Sequence, residues 1–108
     1  MSDEIAGMIV RMWHGRVPTR KARAYREFVN RRAIPDYQSV PGKISVYVLE
    51  RQEDEITHFI TLTFWESLEA VRGFAGDNIE QAKYYPEDED FLIEFEPAVV
   101  HYEVVGHS

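Results

Sequence analysis

Residues 44–74 read ISVYVLERQEDEITHFITLTFWESLEAVRGF. Ile44–Glu50 and Ile56–Trp65 are rich in β-branched and aromatic side chains, whereas Gln52-Glu53-Asp54-Glu55 between them is polar throughout. The pattern predicts two strands joined as a hairpin. Directly after Trp65, Ser67 is placed to cap a helix running through Phe74. Glu69 suits the positive end of that helix, and Gly76 is ready for the left-handed residue that closes it.

Outward toward the N-terminus, Met8–Trp13 is a short apolar run between Gly7 and His14, predicted as a buried strand that Gly15 ends. Pro18 and Thr19 open a helix whose apolar positions, Ala22, Tyr25 and Phe28/Val29, recur at intervals of three and four. Its predicted end is Ile34, before Pro35. Toward the C-terminus, Asp77 with Glu80 three residues on resembles a capping box, predicting a further helical turn that ends near Tyr84–Pro86. Ala98–Val105 alternates as a final strand. The order β-α-β-β-α-β is the ferredoxin-like pattern of an α+β fold: a four-stranded antiparallel sheet, its first strand central, with both helices on one face. Apolar residues nevertheless occupy both parities of the strands, as in Val46 and Val48 against Tyr47 and Leu49. The second face therefore needs a cover, and a twofold partner supplies it most simply, giving a homodimer in the form of a dimeric α/β barrel.

The chain of 108 residues fits one domain, spanning 1–108. Its acidic start and the lack of a long apolar run argue against a leader or a membrane span. The absence of cysteine excludes disulfides, thiolate metal sites and cysteine nucleophiles, and makes a cytoplasmic location the simplest reading. Residues 1–54 carry 10 Lys/Arg against 7 Asp/Glu, and residues 55–108 carry 2 against 12. Eight of the basic residues lie between Arg11 and Arg32. They read as the solvated face of the first helix, since the acidic remainder would repel phosphates, and no nucleic-acid partner is expected.

Four histidines are present. Antiparallel pairing brings His14 near His58 and His101, so a three-histidine metal site is geometrically open, but hydrogen-bonded histidines at strand ends are the plainer reading and no metal is assigned. Glu87-Asp88-Glu89-Asp90 reads as a solvated acidic turn rather than a calcium loop. Arg72 either clamps an anionic ligand or pairs with a glutamate on its own helix. No phosphate loop, dinucleotide fingerprint or nucleophile elbow is present. Trp13, Trp65, Phe64, Phe74, Tyr84 and Tyr85 give an aromatic density that suits either core packing or a pocket for a flat, partly phenolic molecule.

The stretches Phe64–Ala70, Phe74-Ala75-Gly76, Tyr84–Asp88 and His101–Val104 resemble the antibiotic biosynthesis monooxygenase family of dimeric α/β barrels. The most specific element is Trp65-Glu66-Ser67, the tryptophan that closes the third strand before a capped helix. The family includes cofactor-free oxygenases of aromatic polyketides and haem-degrading oxygenases. Haem-degrading members supply a histidine from the helical segment after the tryptophan and an asparagine from the first strand. Here Asp77–Tyr84 offers Lys83, and Met8–His14 has no asparagine. The resemblance therefore implies a monooxygenase that needs no cofactor and acts on a phenolic or quinol-like small aromatic. In that expectation His14 or His58 is the base or hydrogen-bond partner, and Tyr84 or Tyr85 orients the substrate oxygens. Trp65 shapes the pocket, with Trp13 and Arg72 as further binding residues. The alternative is a barrel of the same fold that binds a small molecule without turning it over.

Overall fold

The computed structural model describes residues 7–82, 85–93, 96 and 98–107. Strands β1 (Ile9–Pro18), β2 (Lys43–Glu53), β3 (Ile56–Trp65) and β4 (Val100–Glu103) form one sheet in the order β2-β3-β1-β4. Every pairing is antiparallel, with β1 beside both β3 and β4. Helices α1 (Ala22–Phe28), α2 (Ile34–Gln38) and α3 (Leu68–Ala75) cover one face. This is the ferredoxin-like architecture expected from the sequence.

Strand β1 runs through Gly15 to Pro18 instead of stopping. Gly15 is needed for a close approach: a Cβ there would lie 2.3 Å from Cη2 of Trp13. The first helix also continues beyond its predicted end. Between α1 and α2 lies a π-helical turn, Val29–Ala33, in which Ile34 N–H bonds to Val29 O. The wider turn resets the ladder so that Pro35 falls at the start of α2, where its missing N–H costs little. In the β2–β3 hairpin Asp54 takes a left-handed φ of 53°, a conformation aspartate tolerates. Ser67 caps α3 as expected, its Oγ accepting from Ala70 N at 3.1 Å, and Gly76 follows at φ 86°.

The turn predicted from Asp77 is not helical over 77–82; Gln81 instead bridges to Ala98. A 3-10 turn forms later, at Pro86–Asp90, inside the acidic run. Only Val100–Glu103 of the final predicted strand pairs as a strand.

The core lies between sheet and helices, where Val17 and Phe59 pack with Tyr25, Phe28, Val29 and Leu92. Burying each such side chain contributes about 1.5–3 kcal/mol. The opposite sheet face is also apolar: Tyr47 and Leu49 of β2 and Val100 and Tyr102 of β4 are 45–56% exposed. They flank Ile60, Leu62, Val10 and Met12 of the central strands in register.

Candidate functional site

Alternation along the strands divides the candidate residues between the two faces. Arg11, Trp13, Gly15 and Val17 of β1 share the helix side, while Met12, His14 and Arg16 take the other. On the helix side a cleft opens between the sheet and the α1–α2 arm. Arg11, Trp13, Val48 and Thr61 form its floor. Tyr25, Phe28, Ile34 and Tyr37 come from the helical arm, and Tyr85, Asp88 and Val99 close the remaining side. The envelope is about 550 Å³ including its open mouth. The π-turn contributes Val29 and Ala33 to the same wall.

Three polar groups are committed to this aromatic cleft. Arg11 is 4% exposed and donates from Nη1 to Ile79 O and from Nη2 to Gln81 O at 3.1 Å. Nη1 also meets Nε2 of His101 at 3.3 Å. Because a guanidinium only donates, that imidazole nitrogen is the acceptor. Burial, then the Arg11 charge, hold His101 below its ordinary pKa, in keeping with a neutral ring. Burial pushes the Tyr37 phenol up to about 12 against the pull of Arg11, so it stays a hydrogen-bond donor through neutral pH. Asp88 is 4% exposed, its Oδ2 accepting Tyr85 N–H at 2.7 Å. Burial raises its pKa despite that bond, giving a carboxylate more basic than a solvated one.

The rim is held by Tyr85, whose hydroxyl donates to Asp36 through a short bond and whose ring lies 5.1 Å from the Arg32 guanidinium. Arg32 in turn pairs with Glu87 at 3.4 Å.

The residues singled out from sequence are dispersed. Trp13 and Tyr85 come together in the cleft; Tyr84 lies outside the described residues. Trp65 is fully buried but absent from the lining: its indole N–H donates to Thr63 Oγ1 at 2.8 Å, and its ring packs on Phe74 and, edge-on, on Tyr37. Its ring contact with the cleft lining is with Tyr37. Arg72 is exposed on α3 and takes no part in the cleft wall.

His14 and His58 do meet, with His14 Nε2 2.9 Å from His58 Nδ1. Ring planes within 18° and centroids 5.2 Å apart, with nitrogens that close, describe rings meeting edge to edge. Glu96 holds the outer nitrogen of His14 at 2.8 Å and Glu53 that of His58 at 3.0 Å. With an N–H given to each carboxylate, the facing nitrogens need one proton between them. This row lies on the sheet face opposite the cleft, so the base role expected for His14 or His58 is out of reach of a ligand there. His101 is on the cleft side beside Arg11, so the open three-histidine arrangement does not form. Among the described residues, no group of three or more His, Cys, Asp or Glu is arranged to hold a metal ion.

The sequence reading passed over Arg11, Tyr37 and Asp88. A signal existed for Arg11: a charged residue at an inward parity of a strand otherwise built from Ile, Val, Met and Trp.

No family model and no curated protein matches the chain. Solved structures of the same fold do. A Nitrosomonas europaea protein named as a candidate antibiotic biosynthesis monooxygenase is similar at TM-score 0.67 and 18% identity, over 93% of this chain and 92% of that one. A Streptomyces coelicolor monooxygenase in complex with nanaomycin D is similar at TM-score 0.62 and 17% identity, over 99% and 95%. A heme-degrader of Mycobacterium tuberculosis, with two hemes in its active site, is similar at TM-score 0.64 and 20% identity, over 93% and 98%. The resemblance drawn from sequence thus holds for the fold.

A haem held through histidine, as the resembled haem-degrading members hold it, would need an imidazole free to ligate iron inside the cleft. Among the described residues no histidine lines it, and His101 Nε2 is taken by Arg11. The described lining residues do not fit a histidine-ligated haem.

Proposed function

We propose that the chain is a monooxygenase of a small phenolic or quinol-like aromatic that draws its electrons from the substrate itself. The observation that carries this reading is a buried carboxylate, Asp88, set into a cleft walled by Trp13, Tyr25, Phe28, Tyr37 and Tyr85. Aromatic walls alone suit simple binding, whereas a committed proton acceptor in a water-poor cleft suits proton transfer.

In this scheme the rings sandwich the substrate and Asp88 accepts the phenolic proton. The resulting anion reduces dioxygen, a carbon–oxygen bond forms, and the hydroperoxide loses water to leave a quinone. One oxygen atom enters the product and the other leaves as water, with all electrons supplied by the phenol. Tyr37, neutral and buried, donates a hydrogen bond to the developing oxygen charge, and exclusion of water protects the intermediate. The nanaomycin D bound by the Streptomyces coelicolor protein supports a flat aromatic ligand in this fold. A second copy of the chain, laid against the apolar outer face, completes the proposed assembly.

The test is oxygen uptake by purified protein with a panel of hydroanthraquinones and simple quinols under strong chelator. Uptake above the uncatalysed rate, with quinone formed in equal amount, supports turnover. Binding without uptake across the panel moves the assignment to a binding barrel.

A further inference from the structure

Arg11 is a buried cation with no carboxylate partner among the described residues. Of its five N–H donors, three have partners among the described residues: two from Nη1, to Ile79 O and His101 Nε2, and one from Nη2, to Gln81 O. Its ring contact is with Phe74, 5.9 Å from the centroid. None of these partners carries a negative charge. The carboxylate that influences this cluster is Glu80, exposed and acting on His101 through space, and no ion pair joins Arg11 to an acid among the described residues. Buried arginines are ordinarily paired, because an uncompensated charge out of water costs several kcal/mol.

Arg11 also lines the cleft. Its Nε–H and one Nη2–H have no partner among the described residues, and on a guanidinium two such donors can lie parallel along one edge, at the spacing a carboxylate takes bidentately. The chain around it is acidic, with a net charge of −7. The long-range field therefore disfavours anions, and a preference for one inside the cleft must come from a local cation.

We propose that Arg11 makes the cleft selective for aromatic acids: its ligand is a planar aromatic bearing a carboxylate or an equally anionic oxygen, seated on the free edge of the guanidinium with its rings against Trp13 and Tyr37. This rests on the reading of the cleft as a ligand site. A carboxylate on the ring remote from a phenolic hydroxyl, as in 6-hydroxy-2-naphthoate, places the anion on Arg11 and leaves the hydroxyl for proton transfer. Arg11 then acts in binding, and Asp88 in chemistry.

The experiment compares 6-hydroxy-2-naphthoate with its uncharged amide by calorimetry, on the wild-type chain, Arg11→Met and Arg11→Lys, each shown to be folded by circular dichroism. The expected result is about tenfold or tighter binding of the acid in the wild type. That preference should persist when salt rises from about 0.15 to 0.5 M, since a buried charge is little screened. It should fall to about twofold or less in Arg11→Met and be partly kept in Arg11→Lys, which retains the charge but not the parallel donors. Equal affinity of acid and amide for the wild type overturns the proposal while leaving the cleft as a ligand site. A preference that vanishes with salt, or survives in Arg11→Met, assigns it to surface charge and also overturns it. If neither compound binds, the ligand-site reading fails together with it. Should Arg11→Met not fold, the wild-type preference and its reduction in Arg11→Lys decide the matter.

Discussion

The carboxyl of Asp88 sits within four consecutive acids, Glu87-Asp88-Glu89-Asp90, and composition gives no hint that one differs from the rest. The difference arises from the 3-10 turn that Pro86 opens, whose three-residue period sets position 88 under the Tyr85 N–H. Its raised pKa has a consequence for stability. The native state binds the Asp88 proton more tightly than the unfolded chain, so stability falls as pH rises from the unfolded value through the higher folded one. Above that window the buried charge is a standing cost. Asp88→Asn, which keeps an acceptor for Tyr85 N–H, is therefore expected to raise Tm by about 1–3 °C at pH 7 and to lose that gain below about pH 4. Calorimetric scans at the two pH values check this; a lower Tm at pH 7 would show that the ionised carboxylate is stabilising. Arg11 was equally hidden, because the seven basic residues that follow it, Arg16 to Arg32, made it look like part of a solvated helix face, and its parity on β1 is the one local clue.

At the scale of elements, the strands and the capped α3 were legible because each rests on a local rule: alternation, a polar turn, a serine cap and a closing glycine. The misses occur where tertiary contacts override local punctuation. Pro35 reads as a stop, yet the π-turn before it carries the helical arm on to Gln38 and brings Tyr37 into the cleft. Gly15 also reads as a stop, yet it lets β1 pass beneath the Trp13 ring. Gly15→Ala would set a methyl 2.3 Å from Trp13 Cη2 and 3.1 Å from Leu92 Cδ2. The expected loss is about 1–3 kcal/mol by urea denaturation, as for overpacking of a filled core. It should come with weaker binding of any cleft ligand, because the displaced indole is part of the floor. Wild-type stability in this variant would mean the indole has room to move.

For the whole molecule, the order of elements was enough to give the sheet, since short connections and antiparallel pairing leave few arrangements of four strands. The division of the histidines was not legible, because the sequence places a strand end beside His14 where β1 in fact runs on, and only exact register sends His14 and His101 to opposite faces. That register also exposes Tyr47, Leu49, Val100 and Tyr102 together, a contiguous apolar surface of the kind that marks an interface. Light scattering at micromolar concentration should give twice the chain mass, and Leu62→Glu, at the middle of that face, should give a monomer; a monomeric wild type would contradict the paired assembly. The central claim is that chemistry occurs on the helix side of the sheet and not at the His14–His58 row. It is tested most directly by initial rates of oxygen uptake at saturating quinol for Asp88→Asn, His14→Gln and His58→Gln beside the wild type. The expected result is a loss of about 100-fold or more in Asp88→Asn, with both histidine variants within about twofold of the wild type. Full activity in Asp88→Asn with loss in either histidine variant would place the reaction on the other face and contradict the account.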